Sequence, residues 1–521
     1  MVKPQVYLKN ALVLTITSFA LRAAGMVFRV YLAGNIGSEG MGLYQLIFSL
    51  YNFAITFATA GISVASTRLV AEELSGGNPG SAAGALRKVI TAGVALGGVA
   101  GAVQFFFAYP ASNYLLGDAR AELSLRILAP SLPFMAGAAA LRGYFLARRR
   151  VGPNVQSQML EQALRIGVVL WILQYTLDWG VQYSCAAVML GNTASEIISC
   201  LCMYVFWRRD MKRAFRNAQP RVPDKVRRRL WNILLPIEGS RCLASGLSAA
   251  ENMLVPACLA LFCGARETAL SQYGALKGMA IPVLFFPFSF ITTMATLLLP
   301  EITEAHIRGH QKTLRHLLGR IVFLTNVVSV LAAGLFTIYA RPLAQLLYQD
   351  AQVGLYIMVL GPAMPFMYLE SMVDGILKGM GEQMSTFRYS LFDSTVRIVL
   401  VMFLLPRYGI KGFLFVMLCS NVTTCVLNVG RMVRTSGLKL DWWRWLFQPV
   451  ALVALCGAAG WYAARYLALG SELATMLAGG GITAVLYLAL AWRCGLGKAV
   501  GEMMQRTPAR EKTGEAAGEK K

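Results

Sequence analysis

Leu128-Ala-Pro-Ser-Leu-Pro-Phe-Met135 returns 232 residues later as Leu360-Gly-Pro-Ala-Met-Pro-Phe-Met367. Outward from these octapeptides, the same offset keeps Gly143, Arg165, Ile166 and Val169 in register with Gly375, Arg397, Ile398 and Val401, and Glu161 with the acidic Asp393. Prolines at matched depth in apolar runs do not follow from shared hydrophobicity alone, so the chain carries an internal repeat. With a slip of one residue the match extends back to Gly76 and Arg87, which correspond to Gly309 and Arg320.

The repeat lies in a chain of 521 residues that is 56% apolar and 14% charged, with a net charge of +23. Soluble chains carry about 25% charged residues, so this composition points to the membrane. A spanning helix needs roughly 20 apolar residues, because lipid offers no partners for backbone amides. Fourteen such runs occur: six between residues 10 and 206, six between 233 and 430, and two between 447 and 492. The first begins without a small-residue cleavage site and is expected to be retained as a span. The expected fold is therefore all-α and membrane-integral. It comprises two six-helix pseudo-repeats around a central cavity, plus two C-terminal helices.

The distribution of charge gives an orientation. Segments on one side of this fourteen-span scheme, including both termini, hold 35 Lys and Arg, and the opposite loops hold six. By the positive-inside rule the first set, and so both ends of the chain, is cytoplasmic; only the loop bearing Arg407 and Lys411 runs against it. Six helices per repeat give both halves the same orientation, so they are parallel repeats with a site expected between them near mid-membrane. The expected organisation is an N-terminal lobe 1–206, a basic cytoplasmic linker 207–232, a C-terminal lobe 233–446, spans 13 and 14 within 447–493, and a cytoplasmic tail 494–521, disordered at its end. The linker's ten basic residues serve topology first, with a grip on anionic lipid as the alternative.

Eight basic residues remain inside spans, where they are costly against lipid and mark interior or hydrated faces. Span 1 aligns Thr15, Ser18, Arg22, Gly25 and Arg29 on one face, and span 2 aligns Gln45, Ser49, Asn52, Thr56, Thr59 and Ser63. Span 7, the repeat partner of span 1, does the same with Glu238, Arg241, Ser245, Ser248 and Asn252, and Lys277 stands alone on an apolar face of span 8. Arg22, Arg29, Asn52, Arg241, Asn252 and Lys277 are the expected cavity residues. Polar bonding between helices is the competing reading. A cationic pocket predicts an anionic substrate such as a phosphate or pyrophosphate, because guanidinium groups match those oxygens. Glu161 with Arg165 and Asp393 with Arg397 are repeat-equivalent i,i+4 pairs, read as structural ion pairs in preference to a proton relay. Glu370 and Asp374 share a face of span 10 and are the acidic candidates for cation coupling.

Other chemistry lacks its residues. The ten cysteines are scattered without CxxC spacing. His306, His310 and His316 have no acidic or cysteine cluster to complete a metal site, so neither metal nor cofactor is expected. With most of the positive charge assigned to topology, nucleic-acid binding has no support.

Arg22-Ala-Ala-Gly-Met-Val-Phe-Arg29, Gly37-Ser-Glu-Gly-Met-Gly-Leu-Tyr44 and Gly61-Ile-Ser-Val-Ala resemble the start of stage V sporulation protein B-like polysaccharide transporters. Tyr273-Gly-Ala-Leu-Lys-Gly-Met-Ala280, Pro287 and Leu299-Pro-Glu-Ile-Thr-Glu-Ala305 continue the likeness. These transporters form a branch of the multidrug/oligosaccharidyl-lipid/polysaccharide flippase superfamily. The resemblance implies alternating access by two six-helix lobes and outward movement of an undecaprenyl-linked saccharide across a bacterial inner membrane. Spore cortex synthesis is one setting it suggests. It also implies a cationic cavity lined by first-helix arginines, here Arg22 and Arg29. The expected partners are an anionic lipid-linked saccharide and membrane lipids, with a monovalent cation or the membrane potential as driving force. The alternatives are a cation-coupled multidrug exporter of the same fold, which would favour cavity acids, and a membrane glycosyltransferase or acyltransferase, for which no DxD, HExxH, Walker A or serine elbow is present.

Overall fold

The computed structural model describes residues 4–76, 79–214, 226–467 and 471–496. The tail beyond 496 and the linker stretch 215–225 lie outside the described residues. The principal helices are α1 (Pro4–Thr59), α2 (Ile62–Ser75), α3 (Pro79–Phe106), α4 (Ala121–Leu128), α5 (Ser131–Ala147), α6 (Gly152–Thr176), α7 (Val181–Ala214), α8 (Val226–Cys263) and α9 (Arg266–Tyr273). They continue as α10 (Phe288–Ile307), α11 (Gln311–Ile338), α12 (Ala340–Tyr348), α13 (Ala351–Leu360), α14 (Met364–Gly379), α15 (Gln383–Ser436), α16 (Gln448–Tyr466) and α17 (Glu472–Ala491). Among the described residues there is no strand.

Nine helical stretches among these residues are long and apolar enough to cross a membrane, and the bent pair α4–α5 makes a tenth. Two of the nine are longer than one crossing. At 1.5 Å per residue, the 56 residues of α1 would reach about 84 Å, against a hydrocarbon core of about 30 Å. Each doubles at a glycine in the left-handed region, Gly37 at φ 70° in α1 and Gly409 at φ 57° in α15, where a side chain would strain the turn. α6, at 25 residues, is long enough to span but too polar to be counted by hydropathy, and the region of expected span 8 is broken into α9, a π-helical stretch Gly274–Ala280, and α10.

The chain forms two compact units. The first comprises residues 1–279 and 394–413. Its end expected to face the cytoplasm holds a buried cluster of Val70, Leu86, Leu141, Tyr144, Phe145 and Met203 from α2, α3, α5 and α7. Asp210 accepts hydrogen bonds there from the Tyr144 hydroxyl at 2.7 Å and from Arg148 and Arg150. α8 and α9, expected in the C-terminal lobe, pack on α1 within this first unit. The second unit holds residues 280–393 and 414–521. In it α16 and α17 pack on α11 through Phe323, Val327, Val453 and Tyr487, whose hydroxyl donates to the Val327 carbonyl at 3.0 Å.

Candidate functional site

All six expected cavity residues fall in the first unit. Arg22, Gly25 and Arg29 share one face of α1. That face is turned toward α6: a Cβ on Gly25 would stand 3.8 Å from Gln162 Nε2. The hydroxyl of buried Tyr44 lies in the electrostatic field of both Arg29 and Arg165. Arg165 Nη2 donates to Glu161 Oε1 at 2.8 Å and to Glu196 Oε1 at 3.4 Å. Glu161 also accepts from Ser199 Oγ at 3.1 Å and from Arg142 at 3.5 Å. The two carboxylates and two guanidiniums of this cluster balance, while Arg29 has no ion pair among the described residues.

A second group gathers around α8. Glu251 is 2% exposed and receives Arg397 Nη2 at 2.9 Å. Thus Arg165 and its repeat equivalent Arg397 each reach a buried glutamate on another helix. The Lys277 ammonium lies 5.7 Å over the Phe413 ring and in the field of Glu251 and Arg397. It forms no ion pair among the described residues, so Lys277 and Arg397 share the single charge of Glu251. Lys277 is carried by the π-helical stretch Gly274–Ala280, and such widened turns re-aim side chains and recur at functional sites. Asn252 Oδ1 accepts from the Tyr273 hydroxyl at 3.3 Å. Arg22, Asn52 and Arg241 are exposed side chains in the middle of long helices.

Two close approaches bracket these groups along α1. On the expected outer side, Ser38 and Ser271 hydroxyls meet at 2.6 Å, and Gly42 touches Gly274 so closely that a Cβ on Gly274 would stand 2.0 Å from the Ser38 carbonyl oxygen. Only glycine fits there. On the expected cytoplasmic side the helix breaks between α1 and α2, and Glu238 Oε1 accepts the freed Gly61 N–H at 2.8 Å. Thr56 and Ser245 hydroxyls meet at 3.2 Å between them. About three turns beyond the break, Arg229 of α8 binds both Glu72 and Glu73 of α2.

In the second unit, Glu370 Oε1 accepts from Asn428 Nδ2 at 3.3 Å and lies in the field of Asp374, Asp393 and Lys378. Asp374 pairs with Lys378 at 2.6 Å, and Asp393 accepts from Ser420 at 2.7 Å. Among the described residues there is no group of His, Cys, Asp or Glu arranged to hold a metal ion.

The family described as polysaccharide biosynthesis protein matches residues 7–231, and the MatE family matches residues 267–403. Stage V sporulation protein B of Bacillus subtilis (strain 168) is 26% identical over 498 residues, which cover 93% of this chain and 95% of that protein. The chain is thus similar over nearly its whole length to the stage V sporulation protein B-like transporters of the multidrug/oligosaccharidyl-lipid/polysaccharide flippase superfamily. It is a multi-pass membrane transporter and not an enzyme. Lipid II flippase MurJ of the same Bacillus subtilis strain is 24% identical over 226 residues, 39% of each chain. Among solved structures, lipid II flippase MurJ in an inward closed conformation superposes with a TM-score of 0.69 at 12% identity, over 93% of this chain and 99% of its own. An inward-facing MATE multidrug transporter reaches 0.64 at 15% identity, over 80% and 95%.

For this transporter the sequence reading missed Glu196, Phe413 and the glycine contact. Glu196 is the single acid in the apolar run from Val181 to Phe206, and the rule applied to the intramembrane arginines would have found it. Phe413 carries no polar signal, and only the fold shows it under Lys277.

Proposed function

We propose that this transporter moves an anionic lipid-linked saccharide, an undecaprenyl-pyrophosphate-linked precursor in class, from the cytoplasmic to the outer leaflet of a bacterial inner membrane with both termini cytoplasmic. The observation that carries the reading is the positive excess in the first unit. Arg29 and Lys277 have no ion pair among the described residues, and Glu251, the acid in whose field Lys277 lies, already receives Arg397. In low dielectric an uncompensated cation attracts an anion strongly, and a pyrophosphate supplies charge and acceptor oxygens together. Names among the relatives support the class: one is a lipid II flippase and one a sporulation protein.

In this reading the pyrophosphate sits among Arg22, Arg29, Arg241 and Lys277, with Asn52 and Asn252 contacting sugar. The prenyl chain stays in lipid. Gly42 and Gly274 part when the site opens outward, and the Glu238–Gly61 and Arg229–Glu72/Glu73 contacts part when it opens inward. Glu370, Asp374 and Asp393 are the candidates for taking up a driving cation, while Glu161–Arg165 and Arg397 hold helices together. Proteoliposomes with a fluorescent lipid-linked disaccharide test the site. Lys277→Ala and Arg22→Ala are expected to abolish outward movement while retaining monodisperse, folded protein. Full activity in both variants overturns the cationic site.

A further inference from the structure

α8 enters the membrane through Arg227-Arg-Arg229, and its arginines part company. Arg229 is clamped by Glu72 and Glu73 of α2. Arg227 turns instead into a groove of about 660 Å³ between α8 and α3, where Lys88 is the facing cation and no acidic residue lines the walls. Neither Lys88 nor Arg227 has an ion pair among the described residues, and both are exposed. Below them the groove is apolar, with Ala95, Leu96 and Val99 on α3, and Trp231 stands at its mouth on α8. The floor is firm: Val89 and Leu230 are buried with Ile62 and Leu69 in one core cluster.

We infer that this groove binds an anionic phospholipid of the cytoplasmic leaflet, with its phosphate between Lys88 and Arg227 and an acyl chain along Ala95 and Val99. Three features select that occupant. The cations lie on the side of the chain that the charge distribution assigns to the cytoplasm, where anionic lipids are concentrated and each basic residue near the surface adds about 1 kcal/mol of attraction. Lys88 to Val99 spans about 16 Å along the helix, half of a ~30 Å hydrocarbon core and so the depth of one leaflet. A tryptophan at the mouth places an amphipathic ring at head-group level. A soluble phosphate would use the cations and leave the apolar length idle. The site is separate from Arg29 and Lys277, and its test does not depend on what the protein transports.

The experiment uses full-length protein in phosphatidylcholine nanodiscs doped with either phosphatidylglycerol or phosphatidylcholine brominated in the acyl chains. The signal read is the part of tryptophan emission lost in Trp231→Phe. Brominated phosphatidylglycerol is expected to quench Trp231 at roughly ten- to thirty-fold lower mole fraction than brominated phosphatidylcholine at low ionic strength, the attraction of two basic residues. Lys88→Gln with Arg227→Gln should bring the two lipids to parity. The charge-matched pair Arg87→Gln with Arg228→Gln should keep the preference. Should the double variant not fold, each single variant is expected to lose part of the preference. Equal quenching in the parent protein, loss of preference in the charge-matched control, or its retention in Lys88→Gln/Arg227→Gln overturns the inference. Displacement of brominated phosphatidylglycerol by an equimolar prenyl pyrophosphate overturns it too, by assigning the groove to the carrier lipid.

Discussion

Gly274→Ala attacks a backbone contact with no room for a side chain. The added Cβ would lie 2.0 Å from the Ser38 carbonyl oxygen and 2.4 Å from the Gly42 nitrogen, where ordinary contact begins at 3.4 Å. Both neighbours are backbone and cannot rotate away, so α1 and the Gly274 segment must separate by about 1.4 Å. Overpacking of this kind costs about 1–3 kcal/mol. In the proposed cycle that cost falls on the state in which this contact is closed, because parting the two backbones makes room for a methyl group. A two-state transporter would shift roughly five- to 150-fold toward outward opening. Spin labels at Asn35→Cys and Glu267→Cys, in a background without native cysteines, read the change by electron–electron resonance. The parent is expected to show one short distance, and Gly274→Ala a second, longer population together with slower transport. Gly98→Ala, with nothing within 4 Å of its Cβ, is the control and should leave the distribution unchanged. An identical short distance in Gly274→Ala would refute the claim that this contact is a closure.

Arg397→Gln should lower thermal stability by about 3–5 kcal/mol, because it removes the ion-pair partner of the buried Glu251. Adding Glu251→Gln should recover much of the loss in a double-mutant cycle read by thermal melting, and strict additivity would contradict the pair. Outside the membrane, burial pushes the Asp118 carboxyl up, but hydrogen bonds from Arg120 outweigh it and hold it below the ordinary carboxylate range. A lowered native value stabilises fully above the unfolded carboxylate pKa and loses that contribution as pH falls through the lowered one. Asp118→Asn should therefore melt earlier than the parent at pH 7, by about 1–2 kcal/mol for a partly exposed pair, with the gap closing only below about pH 4. Melting curves from pH 3 to 7 check this, and a gap that closes between pH 5 and 7 would contradict it.

The all-helical membrane architecture was legible because apolar length, turn glycines and the placement of charge are local signals. Gly37 and Gly409 fall between runs that were already separate by hydropathy. Partnerships were less legible. The i,i+4 spacing found Glu161 with Arg165, yet the reach of Arg165 to Glu196 and of Arg397 to Glu251 joins different helices, which no periodicity encodes. The same limit applies to Gly42 and Gly274, whose contact is a matter of backbone proximity over more than two hundred residues. Lys277 was found by its isolation in an apolar stretch, while the π-helical turn that carries it and the ring beneath it came only from the fold.

The central claim concerns the charge of the cargo, and one comparison tests it most directly: outward transport by the unmodified protein of a fluorescent lipid-linked disaccharide pyrophosphate against a cationic dye, in the same proteoliposomes. The positive excess around Arg29 and Lys277 predicts movement of the anionic lipid and none of the dye. Export of the dye with the lipid left in its original leaflet would contradict the account.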